Sequence, residues 1–399
     1  MANYICPNCQ RAEMSEFYEV NNVPAHSVLL MRTREKALAY PTGTIRLALC
    51  DNCGFVSNVA FDPALNEYSE EYEATQSYSP TFNKFNRALA QRLIDTYDLH
   101  NKSIIEIGCG HGEFLILLSE LGQNDGVGFD PAYLDDRIQH PAKENLTFIQ
   151  DFYSEKYADV KGDFIVCKMT LEHIPKTADF LATVRRSIGD RIGTRVFFQI
   201  PNAGYVLRDV AFWDIYYEHC SYFSKASLAY LFLNAGFDVL DLFTDYDNQY
   251  LMVEASAVDG RGRMDQPMQP LLNQVLDDVA FYTANIQDRL GNWRATIDMM
   301  QTEGRKVVLW GSGSKGVAFL TTLDVADEVK YVVDINPNKH GTFMAGTGHE
   351  IVGPEFLQAY RPDVVIIMNP IYEPEISAQL ADMGLTVEVM TVETPSVNV

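Results

Sequence analysis

One short aromatic stretch, residues 212–224, holds the side chains with the clearest chemical potential. Within it, Tyr216, Glu218 and His219 lie within four residues of one another. Because the ordinary pKa of histidine lies near neutral pH, His219 is a candidate general base, and Glu218 is a candidate partner that orients it. Tyr216 and a second histidine, His173, are candidate donors to an oxygen that gains negative charge. The alternative is that both histidines are structural residues.

Two C-x-x-C pairs lie near the N-terminus and are separated by residues 10–49. They are Cys6 with Cys9 and Cys50 with Cys53. Four thiolates in two tight turns suit tetrahedral Zn²⁺. Two disulfides are the alternative, which a cytosolic location disfavours, and thioredoxin-type redox chemistry needs only one pair. The sequence therefore predicts a zinc site that stabilises a β-rich module and does not itself catalyse.

A glycine-rich turn follows the apolar run Ser-Ile-Ile-Glu-Ile that begins at residue 103. This pattern predicts a strand, a loop and a helix, and Gly108, Gly110 and Gly112 let a ligand approach the loop amides. The spacing E-x-G-x-G-x-G, which starts at Glu106, resembles motif I of class I S-adenosylmethionine (SAM) methyltransferases. A Rossmann domain for a nicotinamide cofactor is the alternative, but its G-x-G-x-x-G spacing differs.

Polar residues at the later strand ends agree with this resemblance. Asp130 follows a small apolar strand, where the resemblance implies contact with the ribose hydroxyls of SAM. Asp151 and Phe152 follow the third strand, where it implies contact with the adenine. Lys168, in the fourth strand, is a further candidate for the cofactor site. A single acid after a strand is otherwise most often a helix cap or a solvated turn.

Length and charge limit the classes of function. A chain of 399 residues predicts two or three domains, because a single core rarely grows past about 250–300 residues. The 54 acidic and 31 basic residues give a net charge of −23, which repels nucleic-acid backbones. No apolar run approaches the roughly 20 residues of a membrane span, and the N-terminus lacks the pattern of a secretory signal. We therefore expect a cytoplasmic protein without nucleic-acid or membrane partners.

A second glycine loop lies in the last quarter of the chain, at residues 306–316. The spacing of Gly311, Gly313 and Gly316, with Asp334 beyond, satisfies a dinucleotide fingerprint, so an NAD site is one hypothesis. A second is that the loop amides and Lys315 hold a diphosphate at a helix N-terminus. A third is that this domain is scaffold.

The order of these parts resembles the deoxysugar C-methyltransferases of antibiotic biosynthesis. That family has a four-cysteine zinc module with a Pro-Ala-x-Ser-like loop, here residues 24–27, then a SAM domain and a second Rossmann-like domain. Its segment I-Y-H-E-H-x-S-Y-F-S is similar to residues 215–224, with Tyr217 in place of the first histidine. Its Y-x-Y-x-S-S is replaced here by residues 72–77. The substrate-binding candidates are Tyr72, Tyr78, Asn202, Tyr222 and Lys315, and Tyr68 is a further tyrosine that could line a pocket.

The predicted fold class is α/β, with a class I SAM methyltransferase domain between a β-rich zinc module and a second Rossmann-like domain. The predicted parts are 1–65 for the zinc module, 66–258 for the SAM domain, 259–303 for a linker and bridging helix, and 304–399 for the C-terminal domain.

The resemblance implies C-methylation of a nucleotide-linked keto-deoxysugar, with His219 removing a proton to give an enolate. Departures from the family at Ala74 and Tyr217 keep open an O-methyltransferase or another SAM enzyme acting on a non-sugar natural product. A non-catalytic protein that binds SAM or a nucleotide sugar is a further alternative. SAM and zinc are the expected cofactors, a small molecule is the expected substrate, and a monomer or homodimer is expected.

Overall fold

The structure is a computed structural model, and it describes residues 4–11, 13–65 and 71–394. Its named strands form three sheets of four, seven and five strands. None of the helices in the described ranges combines the length and the apolar character needed to cross a bilayer.

The N-terminal part is rich in strand, as the sequence predicts. Its elements are β1 (Ser15–Pro24), α1 (Arg34–Leu38), β2 (Thr42–Leu49) and β3 (Val56–Asn58). The strand β2 pairs antiparallel with both β1 and β3. Ile45 and Leu47 are buried at alternate positions of β2, so one face of this small sheet supplies the core of the module.

The second part is a doubly wound sheet with helices on its faces. Its elements are α2 (Pro80–Tyr97), β4 (Ser103–Ile107), α3 (Glu113–Gly122), β5 (Asp125–Phe129), β6 (Leu146–Ile149), β7 (Phe164–Lys168), α4 (Thr177–Ile188), β8 (Arg195–Pro201), α5 (Ala203–Arg208), β9 (Ser221–Tyr222), α6 (Lys225–Asn234), β10 (Phe237–Asp245) and β11 (Tyr250–Ala257). The strand order is β10-β11-β8-β7-β4-β5-β6. The strand β11 pairs antiparallel with both β10 and β8, so a hairpin closes this sheet.

The short strand β9 belongs to the N-terminal sheet and not to the seven-stranded one. Tyr222 pairs with Val56, and Ser221 pairs with Ser57. The Ser57 hydroxyl also donates a hydrogen bond to the carbonyl of Cys220 at 3.0 Å. The N-terminal module therefore holds the segment that carries Tyr216, Glu218 and His219, which the sequence did not predict.

The last part begins with one long helix and continues as a parallel sheet. Its elements are α7 (Met268–Thr302), β12 (Val307–Trp310), α8 (Ser314–Leu323), β13 (Val329–Val333), β14 (Ile351–Val352), α9 (Leu357–Tyr360), β15 (Val364–Ile367), α10 (Glu373–Asp382) and β16 (Glu388–Thr391). The strand order β14-β13-β12-β15-β16 reverses direction at β12, which places a crevice at the carboxyl ends of β12 and its neighbours.

The helix α7 packs against both ends of the chain. Tyr282 meets Tyr18 of β1 edge-on, with ring centroids 5.4 Å apart. Trp293 meets Phe319 of α8 in the same way at 5.1 Å. These contacts connect the N-terminal sheet to the C-terminal domain.

Candidate active site

A cavity of about 300 Å³ lies where the three parts of the chain meet. Its walls come from residues 72–79, from the ends of β7 and β8, from residues 214–219, and from the second glycine loop with the ends of β13 and β15. The candidate residues Tyr72, Tyr78, His173, Asn202, Tyr216, Glu218, His219 and Lys315 all line it. The fold therefore brings residues that are far apart in sequence to one enclosed space.

His219 is 5% exposed, and its ring packs against other aromatic side chains. The His173 ring lies perpendicular to it at 4.8 Å, and the Tyr216 ring lies 4.1 Å away. Burial, with the nearby His173 and Lys315, holds the pKa of His219 well below its ordinary value. At neutral pH this imidazole is uncharged and can accept a proton.

The ring of His173 is fixed by the backbone of the same segment. Its Nδ1 lies 2.9 Å from the carbonyl oxygen of Glu218. Because a carbonyl only accepts hydrogen bonds, Nδ1 carries the proton and the lone pair of the neutral ring is on Nε2. Burial lowers the pKa of His173 to about 4, so it too is neutral at pH 7.

The carboxylate of Glu218 does not bond to His219, which corrects the expectation that it orients that ring. Its Oε1 accepts hydrogen bonds from the backbone N–H of Ser27, at 3.0 Å, and from the Ser27 hydroxyl. His26 Nδ1 is 3.8 Å from the same oxygen. The carboxylate does not reach His219 because it instead fixes the 24–27 loop of the N-terminal module against this segment.

The first glycine loop has backbone geometry that excludes side chains at two positions. Gly108 and Gly112 have φ values of +71° and +89°. A Cβ at Gly108 would lie 1.9 Å from the Thr170 hydroxyl, and one at Gly112 would lie 2.5 Å from the Phe148 ring. At Gly110 a Cβ would meet no atom within 4 Å. The loop is therefore a tight cradle of the kind that a ligand approaches through backbone amides.

The acids around this loop are held by backbone amides. Asp130 accepts hydrogen bonds from the N–H of Gly110 at 2.9 Å and of Ala132 at 2.8 Å. Each of its oxygens retains a second lone pair, which fits a contact with ribose hydroxyls. Glu106 Oε2 accepts from the N–H of Leu115 at 3.0 Å, and burial raises its pKa to about 8. Both acids thus shape the loop and stand beside the space it encloses.

Lys168, Asp151 and Phe152 occupy different surroundings. Lys168 is buried, donates to Asn86 Oδ1 at 2.7 Å and lies over the Phe114 ring. Asp151 accepts from the Tyr157 hydroxyl at 2.6 Å and from Lys156 at 2.9 Å. Phe152 is exposed.

Two parts of the chain match known protein families. Residues 78–242 match the family described as methyltransferase domain, and residues 273–388 match the family described as C-methyltransferase C-terminal domain. The chain belongs to the SAM-dependent C-methyltransferases. This C-methyltransferase is similar to the C-methyltransferase NovU of Streptomyces niveus, with 27% identity over 293 residues, which cover 68% of this chain and 67% of the relative.

Two further likenesses cover less of the chain. Over 86 residues it is 35% identical to the ribosomal protein L11 methyltransferase of Pasteurella multocida, covering 21% of this chain and 29% of that protein. The structure of magnesium protoporphyrin IX methyltransferase from Synechocystis PCC 6803 with bound SAH aligns with a TM-score of 0.34 and 17% identity, covering 44% of this chain and 84% of that one.

A substitution in the glycine loop tests where this C-methyltransferase holds SAM. We expect Gly108→Ala to weaken S-adenosylhomocysteine binding by about 100-fold or more, equivalent to about 2.7 kcal/mol, because the new methyl group collides with Thr170. The matched control is Gly304→Ala, outside the loop, where the glycine has the same φ of +71° and a Cβ would meet no atom within 4 Å, so the affinity should be unchanged. Calorimetric titration measures both affinities. Equal losses in the two variants would contradict a cradle closed at Gly108.

At the second glycine loop of the C-methyltransferase, Asp334 is hydrogen-bonded to the loop itself. Asp334 Oδ2 accepts from the N–H of Ser312 at 3.1 Å and also from the Ser312 hydroxyl. Lys339 Nζ is 3.4 Å from the same oxygen. These contacts give the carboxylate partners within its own domain. They explain an acid at this position of the sequence pattern without a contact to an NAD ribose.

The substrate-binding candidates divide into two groups. Tyr72, Tyr78, Asn202 and Lys315 line the cavity, whereas Tyr222 is not among its lining residues. The Tyr222 hydroxyl donates to the Tyr216 carbonyl at 3.3 Å, because pairing within β9 places its ring in the core of the N-terminal module. Tyr222 therefore supports the segment that carries Tyr216, and its contact with a substrate stays a prediction. Tyr68 lies outside the described residues.

Lys315 does not stand alone in the cavity. Its Nζ forms an ion pair with Asp214 and donates to Gln249 Oε1 at 3.1 Å. The carboxylate of Asp214 offsets part of the positive charge that Lys315 would offer to a diphosphate, which is one of the three hypotheses for this loop.

The four N-terminal cysteines converge on one buried point. Their Sγ atoms all lie within 4.8 Å of one another, with 3.7 Å between Cys6 and Cys53 and 3.6 Å between Cys9 and Cys50. A tetrahedral ion with four Zn–S bonds of about 2.3 Å requires separations of about 3.8 Å. All four are free thiols, so the geometry fits a metal and the disulfide alternative is not realised.

Sequence reasoning missed two contributors to the site. Ser27 was noticed only as part of a family-like loop, and its bonds to Glu218 are visible only in the fold. Glu172 was not among the candidate residues, although it also lines the cavity. The sequence feature that could have identified Glu172 is its position next to His173, shortly after the end of β7.

Proposed function

We propose that this enzyme methylates a carbon next to the ketone of a nucleotide-linked keto-deoxysugar. The observation that carries the proposal is the neutral, buried His219 in a cavity shared by the methyltransferase sheet and the second glycine loop. The similarity to a protein named C-methyltransferase supports transfer to carbon. The deoxysugar is inferred from the family resemblance of residues 215–224.

His219 is proposed as the general base. It accepts the acidic proton from the substrate carbon, and the C–H electron pair becomes the C=C bond of an enolate while the ketone oxygen gains negative charge. SAM supplies a sulfonium methyl group. The enolate carbon forms a bond to that methyl as the S–C bond breaks with its electrons on sulfur, the ketone returns, and His219 releases the proton to solvent.

Tyr216 is proposed to donate to the reacting carbonyl oxygen, whereas the neutral His173 is not, because its single N–H already binds the Glu218 carbonyl. Burial raises the pKa of Tyr216 well above its ordinary value, so its hydroxyl keeps its proton and can donate it in a hydrogen bond. The Nδ1 of His173 is already engaged by a backbone carbonyl, which fixes the ring orientation. Glu218 is proposed to have an indirect role, because its carboxylate holds the 24–27 loop against the segment that carries Tyr216 and His219.

The first glycine loop and Asp130 are proposed to hold SAM. The Thr170 hydroxyl is close to Gly108, and Met169 lines the cavity, so the loop and the cavity meet at the end of β7. This adjacency would place a methyl donor next to the His219 side of the cavity. The four cysteines are proposed to hold zinc as a structural ion, distant from this chemistry.

A nucleotide diphosphate is proposed to lie along the second glycine loop, at the N-terminus of α8. We expect thymidine diphosphate to bind a sample already saturated with S-adenosylhomocysteine, and Lys315→Ala to weaken that binding by about 10-fold, the effect of one charged hydrogen bond. The control is Lys330→Ala, an exposed lysine. Calorimetry reports both. Unchanged affinity in Lys315→Ala, or no binding at all, would contradict a diphosphate at this loop.

An O-methyltransferase or another acceptor is the second candidate, and one observation favours it. Of the two departures from the family pattern, Ala74 lines the cavity, whereas Tyr217 is buried and accepts a hydrogen bond from the N–H of Asp62 at 2.8 Å. Only Ala74 can therefore change the acceptor directly. Mass-spectrometric location of the new methyl group, on carbon or on oxygen, separates the two candidates.

A further inference from the structure

Glu172 is a buried carboxyl group that the proposed reaction leaves unused. It lies on the single turn Leu171–His173 that follows β7, and it is 1% exposed. Neither of its side-chain oxygens has a hydrogen-bond partner among the described residues, yet the residue lines the cavity. A buried polar group without a partner is costly, so its persistence here calls for a ligand or a chemical role.

The surroundings of Glu172 contain no compensating cation. A carboxyl oxygen of Glu172 and ring nitrogens of His173 and His219 lie within 4.8 Å of one another. Both histidines are neutral at pH 7, and no salt bridge to Glu172 is formed within the part of the chain that the structure describes. The other titratable groups that sense its charge are neutral too, namely Cys167, Tyr216, Cys220 and Tyr250.

These surroundings disfavour the ionised form of Glu172. Taking an unpaired carboxylate out of water costs several kcal/mol, and a group in that position keeps its proton instead. Burial accordingly raises the pKa of Glu172 to about 8. At neutral pH the side chain is mostly a carboxylic acid, with one O–H to donate toward the cavity.

We propose that Glu172 is a further catalytic residue, a neutral acid that donates its O–H to the substrate oxygen that gains negative charge while His219 removes the adjacent proton. This inference rests on the proposed function. The proton of Glu172 stays on Glu172 throughout, so the acid stabilises the enolate without adding a step. A base and an acid within one small cluster would then act on the two ends of the same C–C=O unit.

The protonation state is tested first on the free protein, without any acceptor. Infrared difference spectra between pH 6 and pH 10 should show the C=O band of a protonated carboxyl that is lost with a midpoint near pH 8. In Glu172→Gln this contribution should vanish, while that of Glu106, a buried acid whose pKa is also raised to about 8, should remain. Unchanged spectra in Glu172→Gln would overturn the proposal.

The catalytic role is tested with a thymidine-diphosphate-linked keto-deoxysugar as acceptor. We expect Glu172→Met to lower kcat by about 10²- to 10³-fold, the usual loss for one oxyanion donor. Glu172→Gln, whose amide still donates, should stay within about tenfold of wild type. The wild-type kcat should also fall as pH rises through the pKa of the acid, because ionisation removes the donor, and this decline should be absent in Glu172→Gln.

Three results would overturn the role of Glu172. The first is an equal loss in Glu172→Gln and Glu172→Met, which would mean that an ionised carboxylate is needed. The second is a rate increase with added Mg²⁺ or Mn²⁺ that disappears in Glu172→Gln, which would identify a metal ligand. The third is an alkaline decline that persists in Glu172→Gln. A pH-titrating Glu172 in a protein that fails to methylate the keto-deoxysugar would instead refute the proposed substrate, so the two failures are distinguishable.

Discussion

Replacing His219 with asparagine is expected to lower the rate of methyl transfer by about 10²- to 10⁴-fold, because an amide cannot accept the proton that a neutral imidazole accepts. Asparagine keeps a polar group of moderate size in the cavity. The ring of His219 contacts His173, Tyr216 and Tyr222, and none of these is assigned to SAM. We therefore expect calorimetric binding of S-adenosylhomocysteine to be unchanged, so that the loss falls on kcat.

The pH dependence of the wild-type enzyme follows from the same residue. Burial, His173 and Lys315 keep the pKa of His219 well below its ordinary value, and the base works only when uncharged. The rate should therefore hold as the pH falls from 7 through the ordinary pKa of histidine and decline only well below it, as His219 takes up a proton. A loss of half the rate between pH 7 and pH 6 would contradict this assignment.

Deuterium exchange separates the base from the later transfer. With S-adenosylhomocysteine bound, no methyl group is available, and wild-type protein should still exchange the acidic C–H of a keto-deoxysugar with solvent deuterium. His219→Asn should lose this exchange. His173→Asn serves as the comparison, because it removes a ring from the same cavity but leaves the proposed base. Exchange that continues in His219→Asn would assign the base to another group.

Loss of the four-cysteine site is expected to have the largest effect on stability. Cys53→Ser should abolish stoichiometric zinc in metal analysis and lower the free energy of unfolding by more than about 4 kcal/mol, since the ion joins two turns from different parts of the chain. The effect should reach the active site. The backbone carbonyl of Gly54 accepts from the Ser224 hydroxyl at 3.0 Å, and β3 pairs with β9 beside His219.

The matched control for the zinc prediction is Cys167→Ser. Cys167 is also fully buried, but it lies in β7 and outside the thiol cluster. It should retain bound zinc and lose only about 1–3 kcal/mol, the cost of burying a hydroxyl. Thermal unfolding and metal content, measured on both variants, test whether the four cysteines hold a structural zinc ion. Wild-type protein that unfolds identically before and after chelation, with no zinc released, would contradict a structural metal.

The sequence predicted the fold class well because its strongest patterns are local. The strand, turn and helix around Gly108 depend on backbone conformations that glycine alone adopts easily, and residues 103–115 carry that pattern without outside help. The closing hairpin β10–β11 was likewise predictable from two apolar runs next to each other. Tyr216, Glu218 and His219, which line the cavity, were found in the same way, within one aromatic segment.

Residue types and spacing by themselves determined the methyltransferase class, the two cysteine pairs and the candidate base His219. Only the tertiary structure decided what those side chains touch. It directed Glu218 to Ser27 and left Glu172 buried without a partner. The physical reason is that hydrogen bonding and desolvation depend on neighbours from other parts of the chain, and in this protein the β3–β9 pairing brings those neighbours together.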